Sequence, residues 1–251
     1  MGVMKFILLK SISFSEKCNN IFWRRFNVFL FKRNGVVLRD RPVIRNKVFL
    51  KMNSNSTFVI GNKFRFISGS NLNPLSSNIV GSIFLSEGSK IIIGNNVGIS
   101  SSVLVSFKEI IIGDNVLVGA GCLIMDTNGH SLNPFERRME AETHAGRTGQ
   151  GIIIDSDVWL GTNCSIYAGV HIGRGAVVAG NSVIRNDIPP YAVVLGNPAK
   201  IISFVFSPEE IVELEKKNYT KDERIPLEVL EKNYNKYYIN RFKEIKQFLK
   251  L

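Results

Sequence analysis

The chain has 251 residues, a length that suits one domain with appendages, and carries 32 Lys and Arg against 21 Asp and Glu, a formal net charge of +11. Its three cysteines cannot all pair and have no metal-ligand spacing, so we expect neither a disulfide framework nor a metal. The charge predicts an anionic partner: a phosphorylated cofactor, an acidic polysaccharide, a membrane surface or nucleic acid. No nucleic-acid-binding module is recognisable, and we therefore expect no nucleic acid partner.

Residues 1–35 are predicted to form an N-terminal helical segment in which basic and aromatic side chains alternate from Phe14 to Lys32. Two interpretations remain open. The segment is a helix that lies on a membrane surface through residues 14–32, or it packs on the end of the next domain or on a neighbouring subunit, which we favour. The apolar stretch at residues 6–9 is too short to span a bilayer and lacks a signal-peptide layout. We expect a cytoplasmic protein, with any membrane contact at the inner face.

The most informative feature is an aliphatic residue at every sixth position. A second row of smaller residues lies four positions further on. A period of six fits neither an α-helix nor a flat strand, but it is typical of a parallel β-helix with three hexads in each triangular turn. The first row is Ile154, Leu160, Ile166, Ile172, Val178 and Ile184; the second is Val158, Cys164, Val170, Ala176, Ser182 and Ile188.

Weaker copies of this pattern upstream extend the predicted coil to residues 36–202. Cys122 and Cys164 fall in the small inward slot, and we interpret both as core residues. Gly161 and Gly173 follow an inward aliphatic residue, where a tight corner favours a residue without Cβ. Asp155 occupies the equivalent place after Ile154, which predicts a differently shaped corner there.

Residues 125–151 interrupt the repeat with a polar loop, which is uncommon in a compact domain unless the loop is functional. His130 lies where the chain leaves the coil, and an imidazole suits general-base chemistry at neutral pH. Asp126 is placed to accept a hydrogen bond from that ring and to fix its tautomer. We interpret His144, in the same loop, as solvated, and His171, in an outward slot of a hexad, as structural.

The C-terminal region, residues 203–251, is predicted to be helical. Ser207, Pro208 and the two following glutamates are a helix start with an N-cap, a proline in the first turn and early acidic residues. Aromatic residues further on are expected to pack against the coil: Tyr234, Tyr237, Tyr238, Phe242 and Phe248.

Together these motifs resemble the hexapeptide-repeat acyltransferases, particularly the sugar and polysaccharide O-acetyltransferases. The resemblance is strong over residues 90–202, weaker over 36–90 and absent at both ends. It depends on the segments 126–138, 158–161, 169–173, 177–183, 187–189 and 196–200, of which the closing Gly-Asn-Pro-Ala-Lys is the most specific.

The resemblance implies an all-β solenoid, a left-handed parallel β-helix with helical appendages at both ends. It also implies homotrimers with acetyl-CoA bound in a groove between neighbouring coils. His130 would then be the general base and Asp126 its orienting partner. The implied cofactor-binding residues are Trp159, Gly161, Ala179, Gly180, Arg185 and Lys200.

Each implied role has a structural alternative: Trp159 covers a corner of its own coil, and Arg185 and Lys200 are simply solvated.

The implied activity is O-acetylation of a sugar hydroxyl, on a capsular or other surface polysaccharide, and the positive charge suits an anionic glycan. The alternatives are N-acetylation of an amino sugar and a non-catalytic β-helix scaffold.

Overall fold

The computed structural model of the chain describes residues 2–69, 73–76, 79–143 and 148–250, with the side chains of residues 2–17 and 140–143 outside the description. His144 lies outside the described residues. The described chain forms a helix, a long β-coil and a group of C-terminal helices. The helices are α1 (Gly2–Arg33), α2 (Pro134–Thr143), α3 (Pro208–Asn218), α4 (Leu227–Tyr237) and α5 (Phe242–Leu249), with short 3-10 turns at Pro74–Ser76, Lys221–Glu223 and Ile239–Arg241.

The strands form three faces of a triangular prism. Face I consists of β1 (Val37–Leu38), β4 (Thr57–Ile60), β7 (Lys90–Ile93), β10 (Glu109–Ile112), β13 (Ile152–Ile154) and β16 (His171–Ile172). Face II consists of β2 (Val43–Arg45), β5 (Arg65–Ile67), β8 (Gly98–Ser100), β11 (Leu117–Val118), β14 (Trp159–Leu160), β17 (Val177–Val178), β19 (Ala192–Leu195) and β20 (Lys200–Phe204). Face III consists of β3 (Phe49–Met52), β6 (Ser82–Leu85), β9 (Val103–Ser106), β12 (Leu123–Met125), β15 (Ser165–Tyr167) and β18 (Val183–Ile184).

The chain visits faces I, II and III in turn, and successive coils pair in parallel, as in β10 with β13 and β13 with β16. This is the predicted left-handed parallel β-helix with flanking helices. The antiparallel pair of β19 and β20 ends the coil. We name the three edges of the prism I/II, II/III and III/I after the faces that they join.

The inward rows are confirmed as the core. Each aliphatic residue of the first row has no exposed surface, and the smaller residues of the second row are at most 7% exposed. Cys122 and Cys164 are also buried. The hydrogen bond to Cys164, together with burial, raises the pKa of the Cys122 thiol, which therefore stays protonated. One continuous core forms because each coil buries its inward side chains against the next.

The glycines at the corners are explained by the neighbouring coil. Neither Gly161 nor Gly173 has a positive φ. A Cβ on Gly161 would lie 2.6 Å from the backbone N of Gly180, and one on Gly173 would lie 2.6 Å from the N of Pro190. The left-handed residue of each corner lies two positions further on; it is Asn163 (φ 58°) after Gly161 and another glycine (φ 67°) after Gly173.

The corner that begins at Asp155 has the same turn as its neighbours, so the predicted difference in shape is wrong. Asp157 has a φ of 63°, close to the 58° of Asn163 in the next corner. The backbone of Asp155 and Ser156 lies against Gly113 of the preceding coil. A Cβ on Gly113 would lie 2.6 Å from the backbone N of Ser156, so position 113 requires glycine whatever residue stands at position 155.

Helices cover both ends of the coil. Phe31 of α1 is fully buried, with its ring 6.0 Å from that of Phe58. At the other end α3 begins as predicted, since Ser207 accepts a hydrogen bond from the N–H of Glu210 and the Glu210 carboxylate accepts one from the N–H of Ser207. Tyr234 packs against Phe204 with 5.4 Å between ring centres, which confirms the predicted packing of this aromatic residue.

Glu215 fixes α3 to the coil. It is 1% exposed, accepts hydrogen bonds from the Tyr191 hydroxyl at 3.0 Å and the N–H of Ile225 at 2.6 Å, and forms an ion pair with Arg174 at 3.2 Å. Burial, followed by the charge of Glu215, raises the pKa of Tyr191. Tyr191 therefore stays a neutral donor to this buried carboxylate.

We expect Gly113→Ala to lower the free energy of unfolding by about 1–3 kcal/mol, because its Cβ would lie 2.6 Å from the backbone N of Ser156. Gly98→Ala is the matched control. Its Cβ would meet only the Leu117 side chain, at 3.2 Å, and that side chain can move. Thermal unfolding followed by circular dichroism compares the two variants, and equal losses would contradict the packing explanation.

Candidate active site

The polar loop leaves the coil at edge III/I, between β12 and β13. Its two stems are joined where the N–H of Gln150 donates to the carbonyl of Asp126 at 2.7 Å and where Thr127 and Gly149 form an antiparallel bridge. Within this loop, Pro134–Thr143 form the helix α2. The loop is therefore attached to the prism at its stems and contains its own helix.

His130 is exposed and lies between two constrained turns. Before it, Gly129 has a φ of 78° and donates its N–H to the Thr127 hydroxyl at 3.1 Å. After it, Arg137 Nη1 donates to the Ser131 carbonyl at 2.8 Å. These contacts fix the backbone on both sides of the imidazole while the ring faces the surface.

Asp126 is fully buried at the foot of the loop. Its carboxylate accepts hydrogen bonds from the N–H of Phe107 at 2.6 Å, the N–H of Lys108 at 2.9 Å and the hydroxyl of Ser106 at 3.0 Å. Burial raises its pKa, and these donors act in the opposite direction. Asp126 thus ties the start of the loop to the preceding coil, and its predicted role as the partner of His130 stays a prediction.

Arg185 lies on the same edge as His130. It follows β18 on face III, and its guanidinium carbon lies 4.3 Å from the ring centre of Tyr167, which pairs in register with Met125 just before Asp126. The sequence grouped Arg185 with the cofactor-binding residues, but the fold places it at edge III/I, away from the others. Its cation–π contact gives it a structural partner.

The other predicted cofactor-binding residues come together at edge II/III. Gly161, Ala179 and Gly180 lie in successive corners of this edge, which continues to Gly196 and Lys200. The N–H groups of Gly161 and Ala179 donate to Val178 and Val194 at 2.7 and 2.9 Å, so they belong to the coil. This edge has a narrow strip of small residues, about 14 Å long over three coil spacings, and the same corners contain the exposed residues Asn163 and Asn181.

Trp159 stands beside this surface on face II. It is 55% exposed and lies between Leu117 and Val177, which pair with it in register. Leu117 is 51% exposed. A tryptophan that only covered its own coil would bury more of its ring, so this position favours contact with a ligand or another chain.

Lys200 stands at the C-terminal end of edge II/III. Its ammonium lies 5.0 Å from the ring centre of Phe248 in α5, and a Cβ on Gly196 would lie 3.5 Å from the same ring. Lys200, Arg241 and Phe248 line a groove of about 370 Å³ between β20 and α5. Sequence reasoning missed Arg241, because its approach to this edge depends on how the C-terminal helices pack against β20.

His171 has a different environment from His130. Its ring Nε2 lies 3.0 Å from an Asp155 carboxylate oxygen, and its backbone N–H donates to the Asp187 carboxylate at 2.8 Å. The hydrogen bond that the ring donates to the Asp155 carboxylate, with the charges of Asp155 and Asp187, raises the pKa of His171. The pair links two coils, in keeping with the structural interpretation.

The chain has known relatives over its repeats. Residues 151–186 match the family described as Bacterial transferase hexapeptide (six repeats), and residues 109–129 match the one described as Hexapeptide repeat of succinyl-transferase. A chloramphenicol acetyltransferase of Escherichia coli is 34% identical over 119 residues, which cover 41% of this chain and 55% of that protein. The galactoside O-acetyltransferase of Escherichia coli strain K12 is 31% identical over 144 residues, covering 57% and 65%.

Among solved structures, AntD, an N-acyltransferase from Bacillus cereus in complex with dTDP and 3-hydroxybutyryl-CoA, superposes with a TM-score of 0.51 at 17% identity. The match covers 75% of this chain and 92% of that one, and it supports the fold alone. The chain spans little more than half of the length of the chloramphenicol acetyltransferase.

Replacing Asp155 by Asn should lower the pKa of His171, because Asp155 is the main cause of its elevation. A raised pKa means that the folded chain binds this proton more tightly than the unfolded chain. The pair therefore stabilises the fold below about pH 6.5, and this contribution is lost as the pH rises through the raised value. Both side chains are partly exposed, so the gain stays below about 1 kcal/mol. An NMR titration of His171 measures the shift, and an unchanged midpoint would refute the assignment.

Proposed function

We propose that this chain, a hexapeptide-repeat protein whose known relatives are acetyltransferases, transfers an acetyl group from acetyl-CoA to a hydroxyl of a sugar or surface polysaccharide. The observation that carries the proposal is the strip of small residues along edge II/III that ends at Lys200. An extended pantetheine arm needs a narrow surface without obstructing side chains. A phosphate group needs a cation at the end of that surface.

Each residue of this edge has a distinct role in the proposal. Gly161, Ala179 and Gly180 contribute shape, because the N–H groups of the first two are engaged within the coil. Trp159 contacts the pantetheine arm or the acceptor with its exposed ring. Lys200 pairs with a phosphate of CoA, whereas Arg185 lies on edge III/I and does not join these residues within one copy of the chain.

His130 acts as the general base. It removes the proton of the acceptor hydroxyl, and the resulting oxygen attacks the carbonyl carbon of the thioester. Collapse of the tetrahedral intermediate breaks the carbon–sulfur bond. The CoA thiolate leaves and takes the proton back from the imidazolium. Atoms and charge balance without a covalent enzyme intermediate.

The two halves of this site lie on different edges of one prism. His130 projects at edge III/I, while the proposed cofactor surface follows edge II/III, and face III separates the two edges. A second copy that brings its edge III/I to this edge II/III would complete the site. Repeating that contact around a threefold axis gives the homotrimer that the resemblance implies, because a heterologous contact of this kind closes into a ring.

Calorimetric titration should show saturable binding of acetyl-CoA at one site per chain. We expect Lys200→Ala to weaken this binding by about ten- to a hundredfold, the value of a charge-assisted hydrogen bond. Lys232→Ala, on the exposed side of α4, should bind like the wild type. A folded protein that binds no acetyl-CoA would refute the enzyme proposal and favour a β-helix scaffold.

His130→Ala should reduce kcat for sugar acetylation by about a hundredfold or more and leave the affinity for acetyl-CoA unchanged. His171→Gln is the matched control and should change kcat by less than about threefold, because His171 is engaged with Asp155. Thiol release with a panel of sugars measures both variants. An amine attacks a thioester with less need of a base, so a His130→Ala variant that keeps most of its activity would favour N-acetylation of an amino sugar.

A further inference from the structure

The net charge of the chain is concentrated in the N-terminal part of the sequence. Residues 1–60 contain 12 Lys and Arg and two Asp and Glu, which gives +10 of the total of +11. Residues 61–251 contain 20 and 19, which gives +1. The proposed cofactor surface lies in the second part, which is nearly neutral. Binding of CoA therefore does not explain the charge, and the N-terminal end needs an explanation of its own.

Helix α1 presents an exposed aromatic surface at this end, which we call the aromatic face: Ile21, Phe22, Phe26 and Phe29. These side chains are between 39% and 57% exposed. The rings of Phe22 and Phe26 are stacked with 5.6 Å between centres, and Phe29 follows at 6.5 Å from Phe26. With Cys18 and Arg25 they line an apolar groove on the helix surface. Adjacent exposed aromatic residues are unusual on a protein surface and indicate a contact site.

The opposite side of α1 is fixed to the coil, so the aromatic face cannot turn inward. Asn27 is fully buried, and its Nδ2 donates to the carbonyls of Asn46 at 2.7 Å and Ile44 at 3.3 Å. Phe31 is buried one turn further on. Side chains at positions 22, 26 and 29 recur at helical spacing on the side away from these anchors.

Basic residues surround the aromatic face. From residue 18 to residue 60 the chain has nine Lys and Arg, and Asp40 is its one acidic residue. Asp40 accepts a hydrogen bond from the N–H of Lys63 at 2.7 Å. Lys32, Arg39 and Arg41 line a groove between α1 and the first strands. Within residues 18–33 every charged side chain is basic, so two copies of this helix would repel each other if they paired.

We propose that the aromatic face and its basic surroundings bind the surface of an anionic lipid bilayer. Aromatic side chains partition into the boundary between headgroups and acyl chains, and each nearby Lys or Arg adds attraction to anionic headgroups. A soluble polyanion would neutralise the cations but leave the aromatic face in water. None of the described helices is long and apolar enough to cross a bilayer. This inference is independent of the proposed activity.

Sedimentation of the full chain with vesicles tests the proposal. Binding is expected to vesicles of equal parts phosphatidylglycerol and phosphatidylcholine, and not to phosphatidylcholine alone. Phe22→Gln with Phe29→Gln, and separately Arg24→Glu with Arg25→Glu, should each reduce the partition coefficient by about tenfold or more. The control variants are Phe206→Gln, which is 42% exposed at the far end of the chain, and Lys232→Glu with Lys243→Glu on the C-terminal helices.

Cys18 provides a second readout, because it is exposed in the groove of the aromatic face while Cys122 and Cys164 are buried. An environment-sensitive fluorophore on this thiol should shift its emission to the blue with anionic vesicles.

Equal binding of the aromatic variant and the wild type to anionic vesicles would refute the proposal. So would a dye that is unaffected by vesicles but responds to heparin, or a loss of self-association in the aromatic variant, which would assign the face to a second copy.

Discussion

The structure depends on the close stacking of successive coils. Each coil lies about 4.8 Å from the next, and its backbone groups bond directly to the coils on either side. At that spacing a Cβ at the first position of the glycine corners would meet the backbone of the next coil, as a Cβ on Gly173 would meet the N of Pro190. The rows of inward aliphatic residues, the small second row and the glycines of the edges all follow from this distance.

The same constraint explains why the candidate site is divided. A stacked coil has room for a long insertion only at an edge, and the loop with His130 leaves at edge III/I. A narrow strip of small residues arises where the stacking excludes Cβ atoms, as at Gly161 against Gly180 on edge II/III. A prism separates its edges by rigid faces, so no motion within one chain brings these two features together. The proposal of a site shared between copies follows from that geometry.

The two ends of the prism differ in chemistry. At the C-terminal end, Glu215 is neutralised by Arg174 and held by Tyr191, so the helices there are fixed by a buried polar network. At the N-terminal end, α1 is fixed by Asn27 and Phe31 while its other side keeps aromatic and basic groups exposed. One end is closed by internal contacts, and the other presents a surface suited to an external partner.

The coil, its inward rows and the start of α3 are predictable from the sequence, because these features depend on local periodicity and local capping. The six-residue period can be recognised in the sequence without knowledge of any contact, and the Ser207 capping box lies within four residues. The sequence also identified His130 and the closing motif at Lys200 as candidates. The positions of the candidates depend on the tertiary structure. Arg185 lies on the same edge as His130, Asp126 is buried and accepts three hydrogen bonds, and Phe248 packs against Gly196. These outcomes depend on contacts between residues far apart in the chain, and a periodic pattern carries no information about them.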